Sequence, residues 1–364
     1  MAFNLSLHKF LYYLVMSKIH AFLNYLKERF PKLTKITLIA VYLIFLAGAV
    51  VRMTGSGMGC PDWPKCFGYY IPPTTESELT WQPNHTYKKG MIIIKDETLF
   101  LAEKDMTSSV SFIKTNWSPY TKHNYTTFNK YHTWTEYINR LVSVIAGFVF
   151  IFLVLGSVKF WKTERHITLL TFTAFFLMGF EAWLGKLVVD TNLKPTMITI
   201  HMVIGLIIVA ILLQLLFSVS EKNNIYKYHA LFNKLLIISV IFSLVQIAMG
   251  TQVRQFIDEQ VKQYGFENKQ YSLLNPSFKF YFHRSFTIAI VLVNFGMLYL
   301  NQLKNLGYKL VNWVVFLIVL ESVTGILMYY AEFPIGTQAI HLLAGAILFG
   351  LQFYLWLQSR RIVA

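Results

Sequence analysis

The sequence predicts an all-α integral membrane protein with eight transmembrane helices, arranged as two tandem, pseudo-symmetric four-helix bundles. Three observations predict this fold class: the composition, the spacing of long apolar segments and an internal repeat. Of the 364 residues, 55% are hydrophobic and only 14% are charged. This is more apolar residue than a soluble core requires, so a membrane protein is the expected class.

Apolar segments of about 20 residues, long enough to cross a bilayer, occur eight times along the chain. They lie at residues 35–54, 137–158, 167–188, 197–219, 230–253, 279–300, 310–330 and 336–357. Lys and Arg concentrate in alternate connections, for example Lys159, Lys162 and Arg165, as they do on the cytoplasmic side of membranes. Both termini are therefore predicted to be cytoplasmic.

The remaining segments lie at the two membrane surfaces. Residues 1–34 mix apolar residues with spaced Lys and His and are broken by Pro31, which predicts a cytoplasmic amphipathic segment lying against membrane lipid. The outer connection, residues 55–130, is long and balanced in charge, and residues 75–130 are expected to form a lid or a docking surface. The net charge of +15 reflects mainly the cytoplasmic bias, so nucleic acid is excluded as a partner.

An internal repeat divides the chain into two units. Glu181 and His201, in the third and fourth spans, recur at one constant spacing as Glu321 and His341 in the seventh and eighth spans. The repeat predicts an N-terminal bundle over residues 35–220 and a C-terminal bundle over residues 228–357, in one orientation.

The repeat extends to the helix ends that face the outer side, with one exception. A Gly-x-x-Val-Arg pattern ends the first span at Arg52 and the fifth at Arg254. The second span opens with Ile138-Asn139-Arg140 and the sixth with Phe282-His283-Arg284. Asn139 therefore occupies the position at which the other half has a histidine.

Three histidines, His201, His283 and His341, are predicted at equivalent depth near the outer ends of their spans. One interpretation is that they are packing residues hydrogen-bonded to neighbours. The more specific interpretation is axial ligation of heme iron by imidazole. Polar groups inside a bilayer tend to face the bundle interior, which suits either role, and their number at one depth favours the heme ligands.

Four arginines lie at the same outer boundary: Arg52, Arg140, Arg254 and Arg284. They either reach toward lipid headgroups or pair with heme propionates, which guanidinium groups bind bidentately; a pair per half favours the propionates. Glu136, three residues before Asn139, is either a charge at the start of a helix or an acid or base beside a reacting group.

The two cysteines, Cys60 and Cys66, lie in the outer loop TGSGMGCPDWPKCFG. On the oxidising side of a membrane a structural disulfide is the default expectation, and redox activity is the alternative. Their spacing is neither that of a Cys-x-x-Cys redox pair nor that of a four-ligand zinc site.

Together, the segments VRMTGSGMGCPDWPKCFG, WTEYINRL, IHMVIGL, FHRSF and QAIHLLAGAILFG resemble heme A synthase of respiratory bacteria, in order and from about residue 36 onward. The resemblance implies a cytoplasmic (inner) membrane enzyme with its heme sites toward the outer face. Such an enzyme oxidises the C8 methyl of heme O to a formyl through successive hydroxylations, supplying heme A to cytochrome oxidase. The oxygen would come from molecular oxygen or water, the electron donor is not indicated, and heme O synthase and oxidase subunits are the implied partners.

The resemblance also implies roles for individual residues. His283 and His341 match the ligands of a heme b cofactor, and Cys60 and Cys66 match the family's loop pair. Glu136 matches the catalytic carboxylate of the E-x-x-H-R motif, which here reads Glu136-Tyr-Ile-Asn139-Arg140, with His201 as the other ligand of the substrate heme.

Asn139 departs from that motif, and three interpretations of the departure remain open. Asn139 coordinates weakly or hydrogen-bonds a ligand; His132, seven residues earlier on the same helix face, substitutes; or the N-terminal half has altered chemistry. The competing functions are a diheme cytochrome that passes electrons, for example to quinone, a thiol–quinone oxidoreductase and a transporter with tandem repeats.

Overall fold

The computed structural model describes residues 2–121, 128–191, 193–220, 226–265, 271 and 275–360, and of residues 2–11, 195 and 262 it describes the backbone alone. Its long helices within those ranges are α1 (Ala2–Glu28), α2 (Phe30–Met53), α3 (Lys130–Ser157), α4 (Arg165–Asp190), α5 (Pro195–Val219), α6 (Ala230–Tyr264), α7 (Phe278–Leu303), α8 (Leu310–Tyr330) and α9 (Thr337–Arg360). Eight of these, α2 to α9, are long and apolar enough to cross a membrane. The predicted fold class, an all-α integral membrane protein, is confirmed.

Several helices extend beyond the predicted spans. α2 begins at Phe30 and not at residue 35, with Pro31 in its first turn, where the missing N–H of proline costs no hydrogen bond. α3 begins at Lys130 and not at residue 137, because the Asn129 side chain caps it by accepting hydrogen bonds from two backbone N–H groups. α6 continues past residue 253 to Tyr264. Residues expected at helix ends therefore lie inside helices.

The helices pack around two apolar cores. Phe30, Phe150 and Leu212 belong to a buried cluster supplied by α2 to α5, whereas Phe232 and Met297 belong to one supplied by α6 to α9. α9 also packs against α2 and α5, and α5 against α6, so these helices join the two cores. The domain boundaries given above stay a prediction, whereas the packing places α2 and α6, the first helices of the two repeats, near the junction.

The connection between α2 and α3, predicted to lie on the outer side and here called the outer unit, contains a small group of β-strands that the sequence analysis did not predict. Its strands are β1 (Thr86–Tyr87), β2 (Ile92–Lys95), β3 (Thr98–Ala102), β4 (Met106–Thr107) and β5 (Trp117–Pro119). β3 pairs antiparallel with both β2 and β5, and β1 pairs with β4. Asp96 and Glu97, both with positive φ, form the two-residue turn between β2 and β3, as in tight hairpins.

Candidate functional site

The loop after α2 is closed by a disulfide between Cys60 and Cys66, which confirms the predicted bridge. Both cysteines are buried, in a cluster with Phe67, Leu79 and Ile92 of the outer unit. The disulfide therefore forms part of the core of the outer unit, which agrees with the structural interpretation of the pair.

The first turns of α3 hold this loop, and Glu136 is central to the contact. The Thr133 hydroxyl donates to the carbonyl of Gly59 at 2.8 Å, and the Glu136 carboxylate accepts from the backbone N–H of Cys60 at 2.8 Å. The other oxygen of Glu136 pairs with Arg140, one turn further along. Only 4% of Glu136 is exposed, so the proposed catalytic carboxylate is buried and held from two sides.

The side chain of Arg140 binds the backbone of the disulfide loop. Its guanidinium donates to the carbonyls of Asp62 at 3.0 Å and Lys65 at 2.9 Å, in addition to its pairing with Glu136. Asp62 in turn accepts from the N–H of Gly68 at 2.9 Å, and burial raises the pKa of the Asp62 carboxyl above its usual value. Arg140 is thus engaged within the outer unit, and its role toward a propionate stays a prediction.

Two further arginines converge on one carboxylate at the junction of the halves. Arg52 of α2 pairs with Asp258 at 3.2 Å and Arg254 of α6 pairs with it at 2.8 Å. Arg254 also donates to the backbone carbonyl of Arg52 at 3.0 Å. The structure therefore groups Arg52 with Arg254 across the repeat, whereas Arg284 lies over the ring of Phe280, 5.9 Å from its centre.

The repeated histidines each contact a repeated glutamate across a helix pair. Nδ1 of His201, on α5, contacts the carboxylate of Glu181 on α4, and Nδ1 of His341, on α9, lies 3.0 Å from the carboxylate of Glu321 on α8. Each contact joins two helices, α4 to α5 in the N-terminal half and α8 to α9 in the C-terminal half. A carboxylate on Nδ1 orients an imidazole so that Nε2 is the nitrogen available to a metal.

His283 and His341 lie face to edge in the C-terminal half, with ring centres 6.4 Å apart. An imidazole nitrogen lies about 2 Å from a coordinated metal, so two axial imidazoles need nitrogens about 4 Å apart and ring centres further out. Nδ1 of His283 is buried without a hydrogen-bond partner among the described residues. Gly250 faces the ring, since a Cβ there would lie 3.2 Å from Cε1 of His283. The pair fits a heme held by two imidazoles.

Asn139 occupies the corresponding place in the N-terminal half. It faces Gly48, whose added Cβ would lie 4.0 Å from Oδ1 of Asn139. This Oδ1 is buried and accepts no hydrogen bond within the described part of the chain. His132 lies in the first turn of α3, two turns or roughly 10 Å further out along the axis. The site roles of His132, Asn139 and His201 remain predictions.

Sequence reasoning missed three polar residues that support these positions. Thr324 lies 2.9 Å from Nδ1 of His341, Gln246 donates to the backbone carbonyl of His283 at 3.0 Å, and Asp258 joins the two arginines. Asp258 lies past the predicted end of the fifth span. Apolar residues at helical spacing, Val253 and Ile257, could have revealed that α6 continues.

The fold and the site define a multi-pass membrane protein with a repeated histidine–carboxylate contact and a histidine pair that suits an iron porphyrin. Residues 32–103 and 100–353 match the family described as cytochrome oxidase assembly protein, COX15-CtaA, and the chain belongs to this family.

Several curated relatives carry the name heme A synthase. The protein of Alkalihalophilus pseudofirmus is 24% identical over 88% of this chain and 94% of its own length. The protein of Bacillus cereus (strain G9842) is 23% identical over 92% of this chain and 95% of its own length. A local match to the heme A synthase of Shewanella oneidensis is 46% identical but covers 13% of this chain and 14% of that protein.

Proposed function

We propose that this chain is a heme A synthase that oxidises the C8 methyl group of heme O to a formyl group by successive hydroxylations. The observation that carries the proposal is the His283–His341 pair, with ring centres 6.4 Å apart, in one half of a chain whose other half keeps His201 and Glu136. The relatives named heme A synthase, which match across most of the chain, give the proposal its substrate and product.

In the C-terminal half, His283 and His341 would hold a heme b, which supplies one-electron transfer when bound. His341 is oriented for this by two partners on its Nδ1, Glu321 at 3.0 Å and Thr324 at 2.9 Å. Gln246 fixes the backbone at His283. These contacts orient the imidazole of His341 and fix the backbone that carries His283 before any ligand binds, which reduces the ordering that binding requires.

In the N-terminal half, heme O would bind as substrate with His201 as its protein ligand. Glu136 would move a proton beside the reacting methyl group, released for that step from Arg140 or from the N–H of Cys60. The arginines Arg52, Arg140, Arg254 and Arg284 would attract the propionates. The oxygen source is molecular oxygen, in which case each hydroxylation takes two electrons from a donor that is unidentified, or water, in which case the two electrons leave the methyl group to an acceptor.

We further propose a bacterial cytoplasmic (inner) membrane location, with both termini cytoplasmic and the heme sites toward the outer face. The product would supply cytochrome oxidase, so heme O synthase upstream and oxidase subunits downstream are the partners. The disulfide in the outer unit supports this orientation, because such bonds persist on the oxidising side of a membrane.

Mass spectrometry of the hemes from cells that make this chain together with a heme O synthase tests the proposal. Wild type should yield heme A or its hydroxylated precursor, and Glu136→Gln should yield heme O and heme B only. Ser322→Ala, which removes a hydroxyl bonded within α8, is the matched control and should retain product. If the wild type binds heme but forms no oxidised product, the diheme electron-transfer cytochrome replaces the synthase.

A further inference from the structure

The two halves of the chain differ at the position of Asn139. Asn139 and His283 are equivalent in the repeat, and each faces the glycine of a Gly-x-x-Val-Arg pattern, Gly48 and Gly250. The facing glycine is therefore shared, whereas one side chain is an amide and the other an imidazole. At this position the halves differ in the group that would approach one face of a bound porphyrin.

The opposite face has the same histidine–glutamate contact in both halves. His201 contacts Glu181 as His341 contacts Glu321, across equivalent helix pairs. A carboxylate on Nδ1 raises the basicity of an imidazole ligand and fixes its orientation. Each half thus keeps one oriented imidazole, and only the C-terminal half has a second one facing it.

An amide is a poor substitute for an imidazole at iron, since the axial ligands of heme proteins are His, Cys, Met or Tyr side chains. Asn139 instead offers a neutral hydrogen-bonding group with both donor and acceptor atoms. Its buried Oδ1 has no partner among the described residues, so that oxygen can accept a hydrogen bond from a bound water. Dioxygen and carbon monoxide have no hydrogen to donate, so toward them the Nδ2 group of the amide would be the donor.

The hydrogen bonds around His283 and Asn139 also differ between the two halves. Gln246 donates to the carbonyl of His283 and to the hydroxyl of Thr287, and these bonds fix the helix that presents the imidazole. On the N-terminal side, Ser143 bonds the carbonyl of Asn139 within α3 alone. The helix backbone at Asn139 is therefore not fixed by a side chain of another helix, as that at His283 is, in the described part of the chain.

We propose that the N-terminal half binds an iron porphyrin through His201 alone and leaves the face beside Asn139 open to a small neutral ligand of the water or dioxygen class. The amide of Asn139 hydrogen-bonds that ligand. The inference rests on the proposed function, because it takes an iron porphyrin to be the substrate. It assigns different coordination to the two halves: five protein and porphyrin ligands in the N-terminal half and six in the C-terminal half.

Carbon monoxide is the probe for an open coordination position. The full-length chain, loaded with heme b and heme O in nanodiscs, is reduced and titrated with carbon monoxide while its visible spectrum is recorded. Wild type should bind one carbon monoxide per chain. Asn139→His should bind none and show a second six-coordinate, low-spin heme, whereas the mirror variant His283→Asn should bind two.

Asn139→Leu removes the hydrogen bond from Asn139 but keeps the coordination position on the iron open. It should still bind one carbon monoxide, but the carbon–oxygen stretching frequency should shift because the amide is gone. A wild type that binds none although both hemes are loaded overturns the proposal, and so does a chain that retains a single heme. If His132→Ala then gains binding, His132 is the second ligand.

This readout is independent of turnover. Carbon monoxide binding without any heme A in the product assay would leave the coordination intact and reject the synthase. Heme A production by a chain that binds no carbon monoxide would support the synthase and reject the proposed coordination.

Discussion

The backbone N–H of Cys60 donates a 2.8 Å hydrogen bond to Glu136, which joins the disulfide loop to the helix that carries Asn139. The carboxylate is thus both a structural contact of the outer unit and the proposed acid or base. These two roles can be tested separately. The structural role requires a hydrogen-bond acceptor, whereas the acid or base role requires a group that takes up and releases a proton.

Glu136→Gln keeps an acceptor for Cys60 and removes the proton-transfer group. We expect heme O oxidation to fall about 10²–10⁴-fold, the usual contribution of a positioned acid or base, while the Cys60–Cys66 disulfide still forms. Heme A yield and the mass of the disulfide peptide measure the two effects. Thr133→Val, which removes the bond to Gly59, is the control and should lower stability by about 1 kcal/mol without abolishing product. Full activity in Glu136→Gln would reject the catalytic role.

Asp258 joins two guanidinium groups, so its removal leaves like charges close together. In Asp258→Asn we expect the free energy of unfolding to fall by about 1–3 kcal/mol, less than for a fully buried pair because Asp258 is one-third exposed. A second change, Arg52→Gln, should restore part of the loss by removing one of the uncompensated charges. Thermal unfolding of the single and double variants in detergent measures this. Additive losses would show that the three residues do not act together.

Glu321 contacts Nδ1 of His341, and a carboxylate there increases electron donation by the imidazole. In Glu321→Gln we therefore expect the midpoint potential of the heme b to rise, because the oxidised iron loses stabilisation. Potentiometric titration of the loaded protein measures the shift. Glu181→Gln changes the equivalent contact in the other half and should leave this potential unchanged; equal shifts in both variants would mean that the effect is not local.

Glu78 gives the outer unit a pH dependence. Its carboxylate accepts hydrogen bonds from the backbone N–H groups of Thr74 and Thr75, and these bonds, that of Thr74 first, hold the pKa of Glu78 below its usual value of 4.5. Because the pKa is lowered in the fold, the stabilisation is present above the unfolded pKa and is lost as pH falls through the folded one.

Hydrogen exchange of the Thr74 and Thr75 amides, corrected for intrinsic rates, should therefore accelerate in acid below about pH 4.5. Glu78→Gln, which keeps an acceptor but no titrating group, should remove this acid-dependent step. An unchanged acid response in the variant would assign it to another group.

Much of the helical fold could be predicted from the sequence, because apolar length and charge bias report directly on a bilayer. The helix ends could not. Asn129 caps the start of α3 by hydrogen bonding, and Pro31 lies in the first turn of α2, where its missing N–H costs no hydrogen bond; hydropathy registers neither effect. The β hairpin at Asp96 and Glu97 was missed because its turn has no glycine, although β2 before it is rich in isoleucine.

For the candidate site, the sequence indicated the types of residue more than it indicated which residues pair with each other. The repeat singled out His201 and His341 together with Glu181 and Glu321, but the contact between each histidine and its glutamate was found in the structure. It gave no indication that Arg52 and Arg254 would meet, because that contact lies between the repeats and depends on Asp258, a residue of α6 beyond the predicted end of the fifth span.

Arg140 reaches the disulfide loop through the carbonyl oxygens of Asp62 and Lys65, which every amino acid provides. This contact therefore places no requirement on the side chains between the two cysteines, although the Asp62 carboxylate has its own bond to the N–H of Gly68. It does require the number of residues to be kept. A deletion or insertion there would move both carbonyl oxygens out of reach and leave the guanidinium of Arg140 with Glu136 alone among the partners described above. For this contact, the length of the loop matters more than its sequence.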